Sequence, residues 1–170
     1  RLDYGFSAQR VAELSGVFRI VVNASTVSSD EIASWREAGA DVTRFAACHN
    51  FYPKPYTGLA LEDIARGNLR LAALGFEIMA FVPGDANVRG PVFEGLPTVE
   101  AQRGRASKVA LNMLELAHGA DCDIVLVGDP DLSDAGWAQF AQVSCGYVDL
   151  QCELELSYAY VRGQIHHDRA

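Results

Sequence analysis

The chain has 170 residues and a mass of 18.4 kDa, with 14 Lys+Arg against 22 Asp+Glu and a formal net charge of −8. An acidic chain whose basic residues are scattered among acids lacks the basic face that nucleic-acid phosphates require, which argues against a nucleic-acid partner. At 49% hydrophobic and 21% charged residues it has an ordinary globular composition, and no run approaches the roughly 18–20 apolar residues of a membrane span, so a cytoplasmic protein with no membrane partner is expected.

Apolar β-rich runs alternate with segments of helical period, and turn residues mark each junction. Residues 1–3 read as the end of a strand, with a helix over 7–14 directly after it. The run FRIVVN at 18–23 predicts a buried strand, and 28–38 a helix opened by a Ser-rich N-cap. A strand over 42–48 follows, then a helix over 61–74 that stops at Gly75. The next strand is 77–82. After it the loop 83–97 is dense in Gly and Pro, and a helix lies within 99–118. Strand 123–127 and helix 133–143 complete the series. Such alternation with fully apolar strands implies parallel strands covered by helices. The fold class expected is therefore α/β, the C-terminal half of a TIM (β/α)8 barrel over 1–146. From 147 to 170 the pattern becomes polar–apolar alternation without a following helix, which reads as the start of a second, β domain.

The βα loops of such a barrel converge at the C-terminal ends of the strands. Polar residues there are the candidates: Asp3, then Asn23 and Ser25, then His49 through Tyr52, then the 84–97 loop with Asp85, Arg89 and Glu94, then Gly128-Asp129. The opposite strand ends are plain turns. The segment 49–58 packs donors, acceptors and two tyrosine rings into one loop stiffened by prolines, a composition suited to holding a sugar. Each candidate also has a plain reading: Asp3 and Glu100 as acids near helix N-termini, His49 as a hydrogen-bonded residue ending a buried strand. Cys48, Cys122, Cys145 and Cys152 lie far apart without ligand spacing, so reduced thiols and no metal site are expected. There is no GxGxxG, P-loop or GxSxG signature, and no cofactor is implied.

The run Cys48-His49-Asn50-Phe51-Tyr52-Pro53 with Tyr56-Thr57-Gly58-Leu59 resembles the signature loop of the 6-phospho-N-acetylmuramidases. Further matches lie at 1–7, at 94–100 with Arg103, and at 162–166 with Arg169. The resemblance implies a barrel followed by a small cyclophilin-like β domain, and a cytoplasmic glycosidase that cleaves 6-phosphomuramyl-GlcNAc to MurNAc 6-phosphate and GlcNAc in cell-wall recycling. Glycoside cleavage uses two carboxyl groups. Asp3, Glu94 and Glu100 fall both on the rim and in the matching motifs, so the catalytic pair is sought among them or completed by an acid outside this chain. Asn23, His49, Asn50, Tyr52, Tyr56, Thr57 and Asp129 are expected to contact the sugar, and Arg103 or Arg169, with Lys54, its phosphate and carboxylate. Where many members carry Gly-Asn after the last strand, this chain has Gly128-Asp129. The partner implied is a phosphorylated amino-sugar disaccharide. Two other readings stand beside the enzyme: a non-catalytic sugar-phosphate-binding or regulatory protein, and a homo-oligomer in which half-barrels close each other's sheet.

Overall fold

The computed structural model describes residues 1–2 and 5–149. Twelve of its elements follow in chain order, beginning with helix α1 (Ala8–Val17) and strand β1 (Ile20–Asn23). The Ser7 hydroxyl caps α1 by accepting from the Arg10 amide, and the helix runs past 14 to Val17. Helix α2 (Ser29–Glu37) opens on a full capping box, in which Ser28 and Glu31 satisfy each other's backbone amides.

The expected strand over 42–48 forms only in its second half. Asp41 accepts hydrogen bonds from both the amide and the hydroxyl of Thr43, which curls Val42–Arg44 into a 3₁₀ turn before β2 (Phe45–Cys48) begins. Helix α3 (Leu61–Ala73) ends where Gly75 takes φ +83°, and β3 (Glu77–Val82) matches its expected span. The helix expected within 99–118 is instead broken into α4 (Glu100–Arg103), α5 (Val109–Leu114) and a π-helical turn at Glu115–Gly119. Strand β4 (Ile124–Val127) and helix α6 (Asp134–Ser144), capped by Ser133, complete the described fold.

The four strands form one parallel sheet in sequential order β1-β2-β3-β4, and Leu2 adds a parallel bridge to Val22. Side-chain alternation then sorts the sheet into two faces. Ile20 and Val22, Phe45 and Ala47, and Ile78, Ala80 and Val82 join Val11, Ile32, Ile64, Leu71, Val109 and Met113 in one core. Helices α1, α2, α3 and α5 therefore all cover the same face. The opposite parity, including Val21, Ala46, Met79, Phe81, Ile124 and Leu126, lies on the other face and outside that core. The result is a mixed α/β fold with every strand end of one polarity on a single rim. The expected β domain over 147–170, beyond Asp149, lies outside the described residues.

No described helix is long and apolar enough to cross a membrane.

Candidate functional site

The rim is built from two loops, 49–60 after β2 and 83–99 after β3. They are zipped together by main-chain pairing: Leu59 donates to the Thr98 carbonyl at 2.9 Å, Glu100 donates to the Leu59 carbonyl at 3.0 Å, and Tyr52 donates to the Pro97 carbonyl at 2.9 Å. Thr98, fully buried, anchors the seam to the sheet, since its hydroxyl accepts from the Phe81 amide at 3.0 Å and donates to the Asn50 carbonyl at 2.9 Å.

Arg103 sits at the centre of this seam with only 9% of its side chain exposed. Its Nε and Nη2 grip the Glu100 carboxylate at 2.8 and 2.9 Å. Nη1 donates to the carbonyls of Glu94 and Gly95, both at 3.0 Å, and Nη2 to those of Tyr52 and Lys54 at 2.8 and 3.1 Å. A guanidinium has five N–H groups, and all are engaged. Arg103, expected to meet the substrate's anionic groups, is instead the clamp between the two loops, because four carbonyls and a carboxylate converge on it.

Glu100 shares that role. Its oxygens accept from the Tyr56 amide at 2.9 Å and the Gly58 amide at 2.7 Å in addition to Arg103. The Arg103 guanidinium and these two amides hold its carboxyl well below the usual range, at about 2. A carboxylate so stabilised is a poor proton donor, and its geometry is that of a group that positions the 56–58 turn. Gly58 is required there, since a Cβ would fall 2.6 Å from Glu100 Oε2 and 2.9 Å from its backbone.

Asp129, expected to contact substrate, is 5% exposed and turned inward. Its Oδ2 accepts from the amides of Gly84 and Leu96, both at 2.9 Å, and its Oδ1 from the amide of Arg89 at 3.0 Å. This carboxylate shapes the 84–96 loop from within, which is why a negative charge is tolerated after β4. Asp129→Asn keeps one acceptor oxygen and turns an NH2 toward an N–H, so it should destabilise the protein by about 1–3 kcal/mol. An unchanged urea midpoint would contradict that role.

Asp85 and Asp131 are committed in the same way. Asp85 accepts from the Ser133 amide and hydroxyl, both at 2.7 Å, and Asp131 from the Leu132 amide at 2.8 Å and the Trp137 indole at 2.9 Å. Among the described rim carboxylates, Glu94 differs: it is exposed, and its side chain takes no hydrogen bond or ion pair. Lys54 and Arg89 are exposed cations on the same two loops, with side chains equally unengaged.

His49 shares the parity of Phe45 and Ala47 and so points into the helix layer, 4% exposed. Its Nε2 lies 2.7 Å from Oδ1 of Asn68, whose amide donates to the Ala120 carbonyl at 2.6 Å. That network assigns the proton to Nε2 and leaves Nδ1 a buried acceptor without a partner. Burial pushes the imidazole's pKa down, which favours the neutral ring, and the side chain expected to contact the sugar is placed in the helix layer. Asn23, with the parity of Val21, is nonetheless buried at 8% exposed, its side chain accepting from the Ser25 amide at 3.0 Å. Asn50, one residue on from His49, faces the opposite way and accepts from Arg1 Nη2 at 2.8 Å. Tyr52 is half-buried, and the Thr57 hydroxyl donates to the Lys54 carbonyl at 2.6 Å. Asp3 and Arg169 lie outside the described residues.

The rim also displays two aromatic rings, only one of which stands out in the sequence. Tyr56 is 95% exposed at φ +64°, and Phe93 is 64% exposed at φ +59°. A left-handed backbone at a bulky residue costs about 1–2 kcal/mol. Both are held there by the clamp: Tyr56 through its amide on Glu100, Phe93 through the adjoining Glu94 carbonyl on Arg103. Phe93 is absent from the sequence-level candidates because nothing in Gly90-Pro91-Val92-Phe93 marks a strained, exposed ring.

A family model described as 6-phospho-N-acetylmuramidase, N-terminal, matches residues 1–142. Among solved structures, a conserved Enterococcus faecalis protein of unknown function is similar at 36% identity and a TM-score of 0.73, over 81% of this chain and 40% of that one. An uncharacterised B. cereus protein is similar at 26% identity and a TM-score of 0.69, over 82% and 41%. The chain thus spans about two fifths of the length of these solved relatives. No curated protein matches.

Proposed function

Because this chain belongs to the 6-phospho-N-acetylmuramidase N-terminal family, we propose that it forms part of a cytoplasmic glycosidase that hydrolyses 6-phosphomuramyl-GlcNAc to MurNAc 6-phosphate and GlcNAc. The sheet supports the scaffold this needs. Sequential parallel strands with helices on one face are the arrangement of a (β/α)8 barrel wall, which further strands of the same kind would close around the uncovered face.

The observation that carries the reading is the isolation of Glu94. Every other described rim carboxylate is committed to backbone amides, an indole or Arg103, whereas Glu94 stands free on a clamped loop. In this proposal Glu94 is one member of the carboxyl pair, donating a proton to the glycosidic oxygen, and Asp3 is the candidate for the second. Glu100 positions and does not react. Lys54 and Arg89 take over the anion-binding part assigned in sequence to Arg103, with Tyr56 and Asn50 facing the sugar.

The commitment of Glu100 also favours a second reading, a sugar-phosphate binder without turnover. Incubating the full-length protein with 6-phosphomuramyl-GlcNAc and analysing products by mass spectrometry separates the two. Release of GlcNAc and MurNAc 6-phosphate supports the glycosidase. Saturable binding with no product supports the binder.

A further inference from the structure

The Arg103–Glu100 clamp does more than join two loops: it fixes two solvent-exposed aromatic rings in conformations that neither residue favours. Glu100 Oε1 takes the Tyr56 amide, and Arg103 Nη1 takes the carbonyl of Glu94, the neighbour of Phe93. One guanidinium therefore reaches the backbone on both sides, so the two turns are near neighbours on the rim. Phe93 is further located by Gly90, where an added Cβ would stand 2.9 Å from the Phe93 Cζ. The ring thus lies over a residue that has no side chain to lift it.

Strained backbone persists where its surroundings over-determine it, and such positions gather at ligand sites. Tyr56 makes no side-chain contact that would repay its φ of +64°, being 95% exposed, and the Phe93 ring, although it lies over Gly90, remains 64% exposed at φ +59°. The chemistry around the rings identifies what they would hold. Lys54, Thr57 and Glu94, all exposed, interrupt the aromatic surface with charge and hydroxyl. Separate rings bordered by polar groups match a ligand with an apolar ring face and a polar edge.

We propose that Tyr56 and Phe93 form a clamped two-ring platform on which a pyranose ring of a phosphorylated amino sugar stacks, with Lys54 and Glu94 at its polar edge. Tyr56 has a place in the sugar-binding set already, whereas Phe93 and the pairing are new. The inference rests on the carbohydrate reading above.

The test uses the full-length protein with MurNAc 6-phosphate for binding and 6-phosphomuramyl-GlcNAc for turnover. Tyr56→Gly and Phe93→Gly relieve the left-handed strain and remove the rings; Tyr56→Phe keeps the ring. The expected result is that Tyr56→Gly raises Tm while weakening sugar-phosphate binding about ten-fold, that Phe93→Gly weakens binding similarly, and that Tyr56→Phe stays within about two-fold of wild type. A merely structural Tyr56 would instead lower Tm when lost. Wild-type binding in both glycine variants overturns the platform. If the wild type binds the sugar phosphate without hydrolysing the disaccharide and the glycine variants lose binding, the platform stands and the glycosidase reading falls. If the wild type hydrolyses the disaccharide and both variants keep its KM, the platform alone falls. A wild type that neither binds nor hydrolyses overturns both.

Discussion

Replacing Arg103 by alanine should lower stability by about 3–5 kcal/mol, the range for breaking a largely buried ion pair from one side. The loss is large because the residue does three things at once. It neutralises Glu100, satisfies four loop carbonyls, and holds the 52–54 and 94–95 segments in register. Arg103→Lys should recover little, since an ammonium offers three donors from one point where a planar fork of five is used. The same contact predicts a pH signature. Glu100 titrates at about 2 in the folded protein against 4.5 ordinarily, so its contribution is present above about pH 4.5 and is lost as pH falls from there toward 2. In Arg103→Ala the Glu100 contribution in this window should shrink, so its stability should fall less steeply with acidification than that of the wild type. Urea unfolding across that range measures both effects. Equal midpoints for wild type and Arg103→Ala would remove the clamp from the account.

The second large effect is expected in activity and not in stability. Glu94→Gln should reduce kcat on 6-phosphomuramyl-GlcNAc by about 10²–10⁴-fold, the usual worth of a positioned proton donor, while leaving the unfolding midpoint almost unchanged. An exposed side chain without partners has little to lose structurally. Glu100→Gln should show the opposite split, with a lower midpoint, because the amide cannot accept from Arg103, Tyr56 and Gly58 together. Activity retained in Glu94→Gln would assign the chemistry to another acid.

These two carboxylates also show what can and cannot be read from sequence. Strand β3 is readable residue for residue, because an apolar run bounded by Gly75 and Pro83 admits few other conformations. The segment 99–118 is not: most of it has helical composition, but Arg103 and Glu100 are drawn toward the loops, α4 stops at its C-cap Gly104, and the helix restarts only at Val109. At 42–48, one short side chain, Asp41, turns an apparent strand start into a 3₁₀ turn.

The rim itself is legible, since βα alternation places it, but which polar groups face outward is not. Parity alone already sets His49 with Phe45 and Ala47 on the helix side and Asn50 on the other. Asp129, Asp85 and Glu100 carry no such mark: each is an acid in a loop until the positions of backbone amides far along the chain show it to be consumed. Phe93 is hidden for the converse reason, as its exposure and left-handed backbone arise from a clamp ten residues away.

The most direct measurement is where a sugar phosphate binds. Assigned ¹H–¹⁵N spectra of the full-length protein, titrated with MurNAc 6-phosphate, should show saturable shifts at Lys54, Tyr56, Phe93 and Glu94. The amides of the cavity between α1 and α2, lined by Val11, Val22 and Trp35, should stay unmoved. Shifts confined to that cavity, or none at either place, would contradict the assignment of the clamped rim as the sugar site.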